Sequence, residues 1–192
     1  ATGTGTITVT GTSTFAGNIQ DGGAGKLTAL TKSGSGTLAL TGANTQSGQT
    51  LITGGALRQG SAGALSPNSN INMNGGIVEL GVTDYTASPG TGNGEVQFTG
   101  SGGFGAFGGT RIVNIGGSAA TLTWGAGGFV PSGSSLILSG PNSDSTTRFL
   151  NPINLNGGPQ RISSLGGTAA VDAEIAGDIS NGSLTLAPGN AN

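Results

Sequence analysis

Lys32–Gly60, KSGSGTLALTGANTQSGQTLITGGALRQG, is a run of short alternating apolar segments cut by Gly, Asn and Ser. Alternation with a period of two puts successive side chains on opposite faces of a strand, and the cuts read as turns. Parts of this pattern return later in the chain. Leu38, Leu40, Gly42 and Asn44 of LALTGAN recur 98 residues on as Leu136, Leu138, Gly140 and Asn142 of LILSGPN. A third copy, LTLAPGN, places Leu184, Leu186 and Asn190 at an offset of 146, with its proline and glycine exchanged. Recurrence of this kind marks stacked units that each need a neighbour to cover an apolar face.

The composition agrees with thin strands around a narrow core. Of 192 residues 41 are Gly, whereas aromatics make up 4% and charged residues 7%. Glycine without a triplet period excludes collagen, and a net charge of −2 with mean hydropathy of +0.04 is unlike a highly charged disordered chain. Six Phe, one Trp and one Tyr cannot fill a wide globular interior. Cysteine is absent, so neither disulfides nor thiolate metal sites form, which fits passage across a bacterial envelope. Six scattered Lys and Arg make no basic stripe, so nucleic acid is not an expected partner. No apolar run approaches the roughly 20 residues of a spanning helix, so no transmembrane segment is expected. A chain starting at Ala1 is expected either to have lost a leader or to be a piece of something longer.

Taken in order, residues 2–14 carry Thr at every even position, with Ile7 and Val9 on the opposite face, a half-buried strand pattern. FAGNI at 15–19 returns as IAGDI at 175–179. Ile71, Asn72, Asn74, Gly75 and Gly76 return as Ile153, Asn154, Asn156, Gly157 and Gly158. Residues 82–109, which include the Gly/Phe-rich GGFGAFGG, are the least regular and read as a lateral loop or widened turn. RIVNIGGSAATLTW at 111–124 aligns without a gap to RISSLGGTAAVDAE at 161–174. No capped helical period stands out.

Short strands separated by Gly and Asn suit a sandwich, a barrel or a parallel β-helix, and the repeats favour the last, because a solenoid puts equivalent residues in register. The expectation is an all-β parallel β-helix over residues 1–192, with Gly at the corners and Asn44 and Asn142 bonding turn backbone. Roughly 20 residues per turn gives about eight to ten rungs, a rod on the order of 40 to 50 Å long.

Gly25–Leu65 resembles the strand repeat of bacterial autotransporter passenger domains. The family's Leu-Thr-Lys-x-Gly-x-Gly-Thr-Leu core corresponds to Leu30–Leu38, its Gly-Ala-Asn-Thr to Gly42–Thr45, and its Gly-x-Leu strand to Gly55–Leu57. Gln46 stands where the family often has an aromatic residue. The match covers about 40 residues well and the rest as fragments. The resemblance implies a right-handed β-helix exposed outside a bacterial cell or on its surface.

Histidine is absent, which removes the Ser-His-Asp and Cys-His machineries and the commonest zinc ligand. No catalytic, cofactor-binding or metal residue is therefore assigned. A β-helix acting on polysaccharides is the enzymatic alternative, and it needs clustered carboxylates. Asp172, Glu174 and Asp178 lie close together, the first two on one face of a strand, and read as a solvated acidic face. GGAGKLTAL at 22–30 has the outline of a calcium nonapeptide without its Asp. GSGGFGAFGG at 100–109 lacks the following helix of a phosphate loop. Asn181-Gly182-Ser183 is a glycosylation sequon and, first, a turn. Trp124 and Tyr85 could stack on sugars, although the alternation around Trp124 reads as core. Ice binding needs Thr pairs on every rung, whereas the Thr pattern is irregular after the first strand.

The functional expectation is a non-enzymatic structural or adhesive surface protein, with an enzyme, an ice binder or a glycan-binding module as alternatives. Neither end shows a clear cap, so the chain is expected to self-associate head to tail into a filament. The contact residues expected are Thr6, Ile7, Thr8 and Val9 of one copy over Leu184 and Leu186 of the next. Surface glycans are a further expected partner.

Overall fold

In a computed structural model, residues 3–187 are described. Thr2 of the alternating N-terminal series and Asn190 of the third LxL copy lie outside the described residues. Strands β1 (Gly3–Val9) and β2 (Ser13–Phe15) form the first rung, and β3 (Lys26–Lys32) and β4 (Thr37–Leu40) the second. The third has β5 (Thr50–Ile52) and β6 (Ala56–Gln59), the fourth β7 (Ile71–Met73) and β8 (Ile77–Leu80), and the fifth β9 (Val96–Phe98) and β10 (Gly102–Ala106). Three strands make each later rung. The sixth has β11 (Arg111–Val113), β12 (Leu122–Thr123) and β13 (Ser135–Leu138). The seventh has β14 (Thr147–Phe149), β15 (Ile153–Asn154) and β16 (Pro159–Ser163), and the eighth β17 (Ala173–Ile175), β18 (Ile179–Ser180) and β19 (Ser183–Ala187).

Along each sheet, strands pair in parallel with their equivalents in the next rung, which makes the fold a parallel β-solenoid; among the described residues only one wall continues unbroken from the fifth rung to the sixth. One wall, sheet B, holds β2-β4-β6-β8-β10-β13-β16-β19 and runs the full stack. Sheet A (β1-β3-β5-β7-β9) precedes it in the early rungs, and sheets C (β11-β14-β17) and D (β12-β15-β18) in the later ones. The eight strands of sheet B, stepped at about 4.8 Å, stack about 34 Å tall. Within 82–109, the Gly/Phe-rich stretch supplies β10 at the centre of sheet B, and 96–98 is β9. The longest part without a named strand is 82–95, which touches its neighbours through isolated bridges at Tyr85 and Pro89.

Inward side chains stack in columns because the register is parallel. On sheet B Leu38 faces Leu57, Leu57 faces Val78, Val78 faces Phe104, and Phe104 faces Leu138. All five are buried, and burial of each side chain is worth about 1.5–3 kcal/mol. The sequence repeat aligned Leu38 with Leu136, whereas the column joins it to Leu138. The difference is two residues, so the face is kept and only the register moves.

Rung length changes along the stack. Thr37 faces Ala56, 19 residues on, but Gly102 faces Leu136, 34 residues on. Leu and Ile fill the early narrow rungs, and aromatics fill the later wide ones. Tyr85, Phe98, Phe104, Trp124, Phe129 and Phe149 are all buried. They touch in a chain from Tyr85 through Phe104, Phe98 and Phe129 to Trp124 and Phe149, with centroids 4.7 to 6.4 Å apart.

The corners are tied by side chains. Asn44 Oδ1 accepts the Ile19 N–H and its Nδ2 donates to the Ala64 carbonyl, so one buried amide joins three rungs. Asn70 Nδ2 donates to the carbonyls of Gly90, Gly92 and Glu95, and Asn151 bonds Ile115 twice and Ala120 once. Asn142, the expected counterpart of Asn44, lies outside the wall and donates to Thr37 Oγ1. Lys32 sits in the core column with Ile52, Met73 and Phe98 and is fully buried. Its ammonium donates to the carbonyls of Ser33, Gly34 and Gly54, and desolvation lowers its pKa from the ordinary 10.5.

The 111–124 and 161–174 segments do not stack on each other. Arg111 is on sheet C, opposite Thr147, whereas Arg161 is on sheet B, opposite Ser135. Strand-turn units look alike on every wall, so similarity there found the unit and not the rung. The Asn-Gly-Gly repeats at 74–76 and 156–158 do mark the same corner, each leading into a strand of sheet B.

Gly103 is where close approach demands glycine: a Cβ there would run into the carbonyl oxygen of Ile137 on the next rung. Gly103→Ala is expected to lower stability by about 2 kcal/mol in urea unfolding, because backbone must move to accept it. Gly5→Ala, with nothing within 4 Å of the added methyl, should change it by less than about 0.5 kcal/mol. Equal effects at the two sites would contradict the packing described.

Candidate functional site

The residues expected to form a subunit contact occupy two walls at opposite ends. Thr6, Ile7, Thr8 and Val9 lie on β1, the edge of sheet A, and Leu184 and Leu186 lie on β19, the edge of sheet B. Ile7 is 41% exposed and Leu186 69% exposed, large values for side chains on core-facing strands. Ile7, Val9, Phe15 and Ile19 line an apolar mouth of about 260 Å³ at the first rung. At the last described rung Ile162, Ile175, Ile179, Leu184 and Leu186 line one of about 570 Å³.

The acidic residues are dispersed into separate bonds. Asp172 accepts from Ser164 Oγ at 2.7 Å, Glu174 pairs with Arg148 at 3.3 Å across sheet C, and Asp178 is exposed. Among the described residues, no group of three or more acidic, His or Cys side chains could hold a metal ion. Trp124 and Tyr85 are both core residues: Trp124 Nε1 donates to the Pro131 carbonyl, while the Tyr85 hydroxyl is buried without a partner among the described residues. Burial of Tyr85 pushes its ionisation well above the ordinary 10.0. Gly22–Lys26 is a turn entering β3, and Asn181 is a left-handed turn residue (φ 55°) before β19.

A side-chain cluster that sequence reading missed lies on the outer face of sheet B. Residues 139–146, after β13, fold back over that wall as a strap. Asp144 N–H donates to the Ala106 carbonyl, and Asn142 reaches Thr37 on β4. Glycine makes room for it: Gly105 of β10 presents no side chain outward, and a methyl there would strike Ser143 Oγ. Beneath the strap Ala56, Ile77 and Ile137 form a small outer cluster, against which Leu165 packs. Residues 165–168 lie over the strap in turn, with Leu165 N–H donating to Ser139 and Thr168 N–H to Ser143.

The strap buries charge. Arg58 on β6 and Glu79 on β8 are register partners, and Arg58 Nε donates to Glu79 Oε2. Glu79 is fully buried and its other oxygen lies 3.3 Å from Ser143 Oγ. The Arg58 guanidinium also stacks over the Phe107 ring, 3.5 Å from its centroid. Asp144 Oδ1 accepts the Gly108 N–H at 2.7 Å and the Ser145 hydroxyl at 2.8 Å. The Gly108 bond is the larger cause holding the Asp144 carboxyl below its ordinary 3.8, followed by Ser145.

Between the strap and the first rungs runs an outward groove of about 570 Å³. Its floor is Thr12, Thr14, Thr37 and Ala39, and its far wall includes Arg58, Phe107, Pro141, Asn142, Asp144 and Thr168. No signal in the sequence located it, because Arg58, Phe107 and Asp144 are brought together only by the strap's return across four strands.

Residues 30–58 match the profile of the Passenger-associated-transport-repeat family. Over 114 residues, 53% of this chain, the sequence is 38% identical to the adhesin BmaC autotransporter of Brucella suis biovar 1 (strain 1330). The chain spans 3% of that protein's length. No solved structure matches.

Removing Arg58 strands the Glu79 carboxylate under the strap. Arg58→Ala is expected to cost about 3 kcal/mol in urea unfolding, since breaking a buried pair leaves an uncompensated charge. Replacing both partners, Arg58→Met with Glu79→Met, should cost less than half as much. A loss under about 0.5 kcal/mol for Arg58→Ala would show that the pair does not anchor the wall.

Proposed function

Since this chain belongs to the family of autotransporter passenger strand repeats, we propose that it is a non-enzymatic, adhesive and structural solenoid that holds a binding surface away from a bacterial cell. The family is displayed at the bacterial surface or outside the cell. The observation that carries the reading is where the repeat falls. Residues 30–58 span β3 to β6, and these are the narrow, uniformly stacked rungs. A stack of this kind needs no reactive group to work, because length and lateral surface are what it supplies. The kinship to an adhesin supports an adhesive role.

A finer reading is end-to-end stacking. A rung laid on the last described one continues both walls when β1 of one copy covers the wall of β18 and β2 covers β19. Ile7, Val9 and Phe15 of one copy then close the mouth around Ile179, Leu184 and Leu186 of the next, while Thr6 and Thr8 continue the outer face. Where the chain continues in a longer passenger, the same apolar faces meet covalently linked rungs.

Latex beads coated with the purified chain are expected to adhere to epithelial cells several-fold above beads coated with an unrelated β-solenoid, and light scattering at high concentration should show assemblies that a chain lacking residues 1–11 does not form. Equal bead adherence would overturn the adhesive role. A monomer at every concentration would overturn the stacking.

A further inference from the structure

We propose that the outer groove between the strap and the first rungs binds a short neutral oligosaccharide. This deepens the adhesive reading and rests on display where the chain meets glycans.

The groove is built, and its parts are held in place by side-chain bonds. Glu79, fully buried, fixes the Arg58 guanidinium from below, and Phe107 stacks against it. Gly108 and Ser145 fix Asp144 through Oδ1, and Thr37 fixes Asn142 through Nδ2. These bonds leave Asp144 Oδ2, Asn142 Oδ1 and the Arg58 Nη atoms without protein partners among the described residues. Fixed carboxylate, amide and guanidinium groups around an aromatic ring and a proline suit a sugar. Vicinal hydroxyls both donate and accept, and the C–H face of a pyranose packs on apolar surface.

The floor fits the same ligand. Thr12, Thr14, Thr37 and Ala39 are small, so the surface from β2 to β6 is open over two strand steps of about 4.8 Å each. A peptide adding as a strand would pair along the β2 edge, whereas the fixed polar groups of the groove stand over the sheet face from β4 to β6. Charge selects among sugars. Among the described residues Arg58 is the one cation lining the groove, Glu79 neutralises it from below, and Asp144 adds a negative charge, so a uronate or sulfated chain meets no net positive field. Nucleic acid is disfavoured on the same ground.

The test is calorimetric titration of the purified chain with cellotetraose, chitotetraose and lacto-N-tetraose, with trigalacturonate as the anionic comparison. At least one neutral tetrasaccharide should bind saturably. Asp144→Asn, which keeps the shape, should weaken that binding by about tenfold, the scale of one hydrogen bond to a charged group. Phe107→Ala should weaken it at least as much, with Asp144→Asn still unfolding in a single cooperative transition. No binding of any neutral tetrasaccharide, binding indifferent to both substitutions, or tighter binding of trigalacturonate would overturn the proposal. Because binding is read on free sugars, such a failure leaves bead adherence as a separate question.

Discussion

The structure depends on one constraint: each rung must cover the apolar edge and the unpaired backbone of the rung before it, in register. Parallel pairing does both at once. The ladder of sheet B satisfies backbone groups across eight strands, and the same register carries Leu38, Leu57, Val78, Phe104 and Leu138 into one buried column. Walls of this kind are one side chain thick, so a chain with few aromatics can still close a core. Where the rungs widen, Phe, Trp and Tyr are spent on the extra width. The ends follow from the same constraint: Ile7 and Leu186 are exposed because no rung lies over them among the described residues.

The outer surface is shaped by a second demand, that backbone be allowed to lie on backbone. Gly105 removes an outward side chain of β10, and Ser143 of the strap settles into the space. This arrangement encloses an ion pair that an open solenoid wall would leave in water. It also turns a flat face into a groove with fixed polar groups. Strap, ion pair and groove are thus one construction, resting on a glycine, Gly105, in the middle of a sheet.

Much of the fold was legible because its signals are local. Two-residue alternation, Gly at corners and returning LxL segments are enough for a stack of parallel strands, and the Leu30–Leu57 pattern is enough for the family resemblance. Register was less legible. The 98-residue repeat kept the correct face of Leu38 but missed its partner by two residues, since an even slip leaves the alternation unchanged. The Arg111 and Arg161 segments looked alike yet sit on different walls. The groove was illegible, because Arg58, Phe107 and Asp144 meet only after the rungs are stacked, and nothing local in the sequence marks Lys32 as a buried ammonium held by three carbonyls. The Gly/Phe-rich stretch read as a loop for a related reason. Glycine marks both a turn and a strand on which something lies.

Register between rungs is the central claim, and an engineered disulfide tests it most directly because the chain has no cysteine of its own. Thr31 and Leu51 are outward-facing partners on β3 and β5, so Cys at both positions stands one strand step apart, about 4.8 Å, within disulfide range. Thr31 paired with Thr53 stands two residues further along, roughly 8 Å away and beyond that range. Under mild oxidation of the folded protein, mass spectrometry should find an intramolecular disulfide in Thr31→Cys/Leu51→Cys and free thiols in Thr31→Cys/Thr53→Cys. The reverse result, or equal yields in both, would contradict the register on which the stack, the strap and the groove are all built.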